Sequence, residues 1–203
     1  RSLEGKLVAD ALLDTALYEN SILKRKHRGI SLLQQALDAN PQHWSVLQPL
    51  AHFLEDIEDW DELILTYQKM ASLSSGFIAA NYHNETGYIQ EFYLEKHRDA
   101  AHSYQMALDV DPNDTDAFMS YERIMRHLGQ VEDRIGLYVQ QSKLDVSGKL
   151  VWVKRAAYLS IYTGEYERAF EILSDEPPSY LKAVLLKKNQ KTKLYQKELL
   201  SLT

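Results

Sequence analysis

Apolar and polar residues follow one another along this chain with a helical period, and the blocks they form return at a nearly fixed interval. In Asp99-Ala100-Ala101-His102-Ser103-Tyr104-Gln105-Met106-Ala107-Leu108-Asp109-Val110-Asp111-Pro112, a small residue at 100 is followed by Tyr104, Ala107 and then Pro112. The place of Ala100 is taken elsewhere by Gly29, Leu63, Arg134 and Ala169, at intervals of 34, 37, 34 and 35. The place of Tyr104 is taken by Leu33, Tyr67, Tyr138 and Leu173, and that of Ala107 by Ala36, Met70 and Gln141. A period in the mid-thirties predicts a stacked array of helix pairs in which each pair covers the apolar face of the next.

Taken in order, Leu7, Ala11, Ala16 and Leu17, with Leu12 and Leu13 beside them, form an apolar stripe that predicts a first helix over about residues 3–23. Lys24-Arg25-Lys26-His27-Arg28 reads as a solvated turn whose charges suit the helix end before it. A second helix over residues 29–39 turns Ile30, Leu33, Ala36 and Leu37 inward and stops at Asn40-Pro41, because the residue before proline avoids the helical region. Trp44, Leu47, Leu50, Ala51 and Leu54 mark the third helix, with a kink expected at Pro49. Trp60, Leu63, Ile64, Tyr67 and Met70 mark its partner, and Ser72-Leu73-Ser74-Ser75-Gly76 breaks the pattern.

The third repeat carries Ile78, Tyr82, Gly87, Tyr88, Ile89, Phe92 and Leu94, and a long connection through residues 93–98 is expected to account for the 37-residue step. Gly87 costs about 1 kcal/mol in a helix interior relative to alanine, so its place there implies close approach of a neighbouring helix. In the fourth repeat Asn113, Asp114 and Thr115 offer N-caps. Ala117, Phe118, Tyr121, Ile124, Met125 and Leu128 follow, and Gly129 is the stop. Its second helix, residues 131–144, puts Arg134 and Gln141 in core slots, so either one face is loosened or the two heads snorkel to solvent. The fifth repeat has Leu150, Val151, Val153, Ala156, Ala157, Leu159 and Tyr162, a turn at Gly164, then Ala169, Phe170, Ile172 and Leu173. The last stretch contains Tyr180, Leu181, Val184 and Leu185, then Leu194, Tyr195, Leu199 and Leu200. With lysines at 182, 187, 188, 191, 193 and 197 on its polar side, it is expected to cap the stack or to begin a further repeat. The predicted architecture is an all-α, right-handed α-solenoid forming a single domain over residues 1–203. Its repeats are 3–41, 42–76, 77–112, 113–148 and 149–177, with capping helices at 178–203.

Composition narrows the function. The 203 residues carry a formal charge of −6, which argues against a nucleic-acid backbone as the main partner. The absence of cysteine excludes disulfides and thiolate metal sites. No apolar run approaches the roughly 20 residues of a membrane span. The chain opens inside a helical pattern without a leader-like segment, so a fragment or processed form of a longer protein is expected, with a cytoplasmic setting. No Gly-rich phosphate loop, no His-Glu-x-x-His pattern and no nucleophile elbow is present. His97 and His102 are five apart and diverge on a helix. Glu55, Asp56, Glu58 and Asp59 fall in a solvated turn. Asn84-Glu85-Thr86 and Asn113-Asp114-Thr115 match a glycosylation acceptor by coincidence. No catalytic residue, metal or cofactor is therefore expected.

The small, aromatic-or-leucine, alanine and proline slots resemble the tetratricopeptide repeat. The best copy runs from Gly87-Tyr88 through Ala100, Tyr104, Ala107 and Pro112. The next is Gly29, Leu33, Ala36 and Pro41 with Trp44, Leu47 and Ala51, and the resemblance covers residues 7–173. It implies that the first helix of each pair lines a groove bearing Leu13 and Leu17; Gln48, His52 and Glu55; Asn81, Asn84 and Tyr88; Arg123, Arg126 and His127; and Lys154, Tyr158 and Tyr162. Some family members hold a C-terminal carboxylate with lysine, arginine and asparagine, so Asn84, Arg123, Arg126, Lys154 and Tyr158 become candidate anchors. The expected function is a non-enzymatic scaffold binding a protein or peptide segment, acidic or carboxylate-bearing, with no nucleic acid and no membrane. The alternatives are a structural segment of a longer repeat protein that stacks or self-associates through its ends, and a helical-repeat RNA binder.

Overall fold

The structure is a computed structural model that describes residues 2–177 and 179–189. Its helices are α1 (Ser2–Ser21), α2 (Lys26–Ala39), α3 (Trp44–Asp56), α4 (Trp60–Ser72), α5 (Gly76–Phe92), α6 (His97–Val110), α7 (Thr115–His127), α8 (Val131–Leu144), α9 (Lys149–Tyr162), α10 (Tyr166–Ile172) and α11 (Tyr180–Lys188). No strand occurs among the described residues. The chain packs as two compact units, Arg1–Tyr121 and Glu122–Thr203, divided within α7. In the first unit α2 packs on α1, and each helix through α6 then packs on the one before it; in the second, α8 to α11 do the same. Contacts between sequence neighbours are what a solenoid requires, since each pair hides its apolar stripe only against the next.

One turn geometry recurs. Lys24, Glu58, Glu95, Gly129 and Gly164 all have positive φ, between 54° and 86°, and each stands two residues before the second helix of its pair. Their spacing repeats the 34, 37, 34 and 35 intervals of the core slots. At Glu58 the Asp59 amide donates to the Leu54 carbonyl and the Glu58 amide to that of Glu55, both at 3.0 Å. Gly129 and Gly164 repeat both bonds. This paired bonding is the Schellman closure, which satisfies the last carbonyls of a helix by placing one residue in the left-handed region. The 37-residue step comes mainly from α5, which is 17 residues long against 13 for α3. The connection that follows it, residues 93–96, contributes less than the sequence suggested.

The repeated slots are core. In unit 1, Leu33, Ala36, Ala100 and Ala107 are fully buried, with Leu63, Met70 and Tyr104 nearly so. Each buried leucine or methionine contributes about 1.5–3 kcal/mol. The helix α1 departs from its predicted stripe. Leu7, Ala11 and Leu17 are exposed, whereas Ala9 and Ala16 meet the core. Small residues win the inward face because α1 lies close on α2: a Cβ at Gly5 would stand 2.6 Å from the Ala39 carbonyl oxygen. The basic run is also more than a solvated turn. The helix α2 begins at Lys26, and Arg28 and Arg25 lie 2.9 and 3.8 Å from the buried Glu19 carboxylate. Lys26 donates to Asp56 at 2.7 Å. The helix α3 runs through Pro49 from Trp44 to Asp56.

Unit 2 buries Ile135, Tyr138, Val153, Ala156, Ala157, Ala169, Leu173 and Leu185. Its irregular slot is filled rather than loosened. Arg134 is half-buried, its guanidinium 3.5 Å from Glu122 and 3.4 Å from the Tyr138 hydroxyl. Lys182 corrects the reading of a wholly polar lysine face. It is buried, and its Nζ donates to the carbonyls of Ser174 at 3.1 Å and Glu176 at 2.7 Å. The expected second capping helix, with Lys191, Lys193 and Lys197, lies outside the described residues.

Candidate functional site

In unit 1 the predicted groove residues sit on exposed turns of α3 and α5. Gln48, His52 and Glu55 are exposed on α3. His52 lies 3.9 Å from Asp56. The hydrogen bond from Lys26 holds the Asp56 carboxyl below its ordinary value, with His52 adding to the effect. On α5, Asn81 and Tyr88 are exposed and Asn84 is half-buried. The i, i+3, i+7 spacing puts all three on one face. That face is also apolar: Phe77 is 72% exposed, Phe92 52% and Ile78 43%. Tyr88 packs on Phe92 at 4.7 Å between ring centroids, and Tyr93 stacks on Trp60 at 4.0 Å. A cleft of about 380 Å³ opens between Phe77, Ile78, Asn81, Tyr82, Asp111 and Asp114.

Behind this face an aromatic row runs from Tyr67 to Tyr82, 5.7 Å apart, and on to Trp44 at 6.0 Å from Tyr82. Burial pushes the Tyr67 hydroxyl up to about 12, with the charges of Glu55 and Glu85 adding to it. Burial and the neighbouring Glu55 also raise the Glu85 carboxyl. The like charge of Glu55 thus adds to burial in disfavouring the Glu85 anion.

A further cleft was not foreseen. About 640 Å³ lies between α4, α5 and α6, against Ala71, Ala79, His83, Gln90, His102 and Met106. Ala79, His83 and Gln90 stand roughly 180° around α5 from Asn81 and Tyr88, so this cleft is on the opposite side from the predicted groove. The Gln90 side chain is fixed by the Ser103 hydroxyl, which donates to its carbonyl oxygen at 2.7 Å. Burial lowers the His83 imidazole, assisted by the charge of His102. The small residues Ala71, Ser72, Ser74, Ser75 and Gly76 on its wall are only a weak sequence signal for it.

In unit 2, Lys154, Tyr158 and Tyr162 recur every four residues along α9 and form an exposed stripe, with Tyr158 59% and Tyr162 82% accessible. Arg123, Arg126 and His127 are exposed on the last turns of α7. Arg126 is already engaged, donating to Glu122 at 2.6 Å. Glu122 also accepts from the Tyr138 hydroxyl at 2.6 Å. Burial opposes charge on Glu122, but the bonds from Tyr138 and Arg126, with the positive charge of Arg134, hold its carboxyl below the ordinary value. Arg155 covers Trp152 at 4.9 Å, and the Trp152 indole donates to Asp145 at 2.9 Å. Among the described residues no group of three or more metal-ligating side chains converges, and no helix is long and apolar enough to cross a membrane.

No family model and no curated protein matches the chain. Solved structures do. The structure of Naa15/Naa10 bound to HypK-THB is similar over 94% of this chain and 30% of that one, with 15% identity and a TM-score of 0.51. YrrB, described as a TPR protein with an unusual peptide-binding site, is 18% identical with a TM-score of 0.44, covering 87% of this chain and 90% of its own. A tetratricopeptide repeat protein from Parabacteroides merdae is 15% identical with a TM-score of 0.48, covering 95% and 77%. With helix hairpins returning every 34 to 37 residues on buried small and aromatic positions, this chain has a tetratricopeptide-repeat-like fold.

Proposed function

We propose that the chain is a non-enzymatic interaction scaffold that receives a protein or peptide segment on the exposed faces of its odd-numbered helices. The observation that carries this reading is the face of α5, where Phe77, Ile78, Tyr88 and Phe92 remain exposed around Asn81 and Asn84. Large apolar side chains grouped on a solvent face mark an interaction surface, and asparagine amides pair with the backbone of an extended segment. The helices that present them are already packed, so binding orders the ligand and costs the receptor little. The Naa15/Naa10 structure, similar in fold over most of this chain, holds HypK-THB, and we assign a comparable holding role here. In unit 2, the exposed stripe of Lys154, Tyr158 and Tyr162 on α9 suits a carboxylate-bearing segment, and Arg126 on α7 is occupied by Glu122.

The test is selection of peptides from a random display library on the whole chain, followed by calorimetry. Tyr88→Ala with Phe92→Ala, or Lys154→Glu with Tyr158→Ala, is expected to weaken the selected peptides by about tenfold or more, the 1.4 kcal/mol typical of one interface anchor. Affinities unchanged by both pairs, or no peptide selected at all, would overturn the assignment.

A further inference from the structure

Resting on the scaffold reading, we infer that the α3–α5 face of unit 1 takes a basic segment, one in which arginine or lysine alternates with apolar residues. The two units differ in sign. Residues 1–121 carry nineteen carboxylates against nine lysines and arginines, a formal charge of −10, and residues 122–203 carry ten against fourteen, or +4. The imbalance is sharpest after α2. Residues 42–121 hold fourteen carboxylates and three cations, Lys69, Lys96 and Arg98. Lys96 is already paired with Asp61 at 3.1 Å.

The apolar face described above lies within this acidic surface. Phe77, Ile78, Tyr88 and Phe92 supply contact area, and their aromatic rings attract a cation over their faces. Burial and the charge of Glu55 hold the Glu85 carboxylate at a disadvantage beside Tyr67, with no cationic partner for either glutamate among the described residues. An arriving guanidinium or ammonium group replaces that repulsion with attraction. In the cleft beside Asn81, Asp111 and Asp114 each spend one oxygen on local backbone. Oδ1 of Asp111 accepts from the Asn113 amide at 3.1 Å, and Oδ1 of Asp114 accepts from the Asp116 and Ala117 amides at 3.0 Å. Their second oxygens stay available to a donor entering the 380 Å³ cleft. An acidic segment meets the opposite: Asp111 and Asp114 in the cleft, on a stretch of chain where fourteen carboxylates outnumber three cations. On this inference a carboxylate-bearing partner is left to unit 2.

The experiment uses the full chain and two fluorescein-labelled peptides of about twelve residues, one alternating arginine with leucine and one alternating glutamate with leucine. Fluorescence anisotropy is read at low and moderate salt. The basic peptide is expected to bind at least about tenfold tighter than the acidic one and to weaken as salt screens the contact. Glu55→Gln with Glu85→Gln should remove most of that preference. These are near-isosteric changes that relieve a repulsion, so circular dichroism should show the helices intact. Glu171→Gln, which removes an exposed carboxylate on α10 of unit 2, should leave the preference unchanged. Equal binding of the two peptides, or a preference that survives the double change, overturns the inference. If a neutral or acidic peptide instead binds in a way that Tyr88→Ala abolishes, the scaffold reading stands and the basic partner falls. If no peptide binds at this face, both fall. If sedimentation shows concentration-dependent pairing of the chain that the double change dissolves, the occupant is a second copy, and the assignment to a partner's segment is overturned.

Discussion

Gly87 of α5 and Tyr104 of α6 fill one space between them. A Cβ built on Gly87 would lie 2.7 Å from Cε1 and 2.8 Å from Cδ1 of the tyrosine ring. The ring cannot retreat, because Tyr104 is 1% exposed and its hydroxyl donates to Glu91 at 2.8 Å. Alanine is intrinsically the better helix former by about 1 kcal/mol, yet overpacking a closed core costs about 1–3 kcal/mol. Gly87→Ala is therefore expected to lower the urea midpoint of unfolding, and combining it with Tyr104→Leu to recover part of the loss. A midpoint that rises with the single change would mean that the two helices are not held this closely.

The left-handed turn residues give a second set of outcomes. Glu58 and Glu95 occupy a conformation that costs an L-residue about 1–2 kcal/mol and costs glycine almost nothing. No hydrogen bond or ion pair ties either side chain among the described residues. Glu58→Gly and Glu95→Gly should each stabilise by roughly 0.5–1 kcal/mol after the added freedom of the unfolded chain is counted. Gly129→Ala and Gly164→Ala should each cost about as much as the strain they introduce. Thermal unfolding of the four variants decides it: both glutamate variants falling below the parent would contradict the geometry.

The periodic slots made the helix pairs legible in advance, because burial of Leu33, Leu63, Tyr104 and Leu173 is dictated by side-chain type at a fixed spacing. The close approach at Gly87 was legible for the same reason, since a glycine inside a helix has a cost that only crowding offsets. What spacing could not reveal is which of two apolar stripes faces inward. On α1 both Leu7 and Ala9 belong to apolar runs, and packing turned Ala9 and Ala16, with Leu12 and Leu13 beside them, inward while Leu7 and Ala11 stayed exposed. Nor did charge type reveal partners. Arg126 resembled a free anchor until its i−4 neighbour Glu122 was placed against it, and Lys182 resembled a solvent-facing lysine although its ammonium closes a linker. The opposite side of α5 escaped notice because a cleft lined by small residues leaves no strong pattern in a single sequence. The exposure of Gln48, His52, Asn81 and Tyr88 was thus readable from helix period and residue type, whereas the desolvation of Glu85 beside Tyr67 depends on how α4 and α5 pack.

Lys182 supplies a third outcome. Its buried ammonium donates to the carbonyls of Ser174 and Glu176 within the α10–α11 connection. Lys182→Met keeps the aliphatic volume and leaves both acceptors unsatisfied by it, a loss of about 1–3 kcal/mol for charge-assisted bonds under cover. Hydrogen exchange should show faster opening of α11 while α3 to α6, in the other unit, keep their protection. Uniform acceleration across the chain, or none, would show that the lysine does not fasten this segment.

The imidazole of His83 provides the last. It lines the large cleft with His102 and Asp99, and burial, with a smaller push from His102, keeps it below the ordinary histidine value of 6.5. The folded chain thus takes up this proton less readily than the unfolded chain. As pH falls below about 6.5 the unfolded chain protonates first, so the stability His83 contributes is present above that pH and is lost as pH drops towards the folded value. An NMR titration should place the His83 midpoint under 6.5, and His102→Asn should raise it slightly by removing the second positive charge while leaving the burial. In urea, the parent's midpoint should fall between pH 7 and pH 5 by more than that of His83→Asn, which has no such group to charge. A His83 midpoint at or above 6.5, or identical pH slopes for parent and variant, would mean that this side of α5 is open to water and that the cleft between α4 and α6 does not enclose the ring.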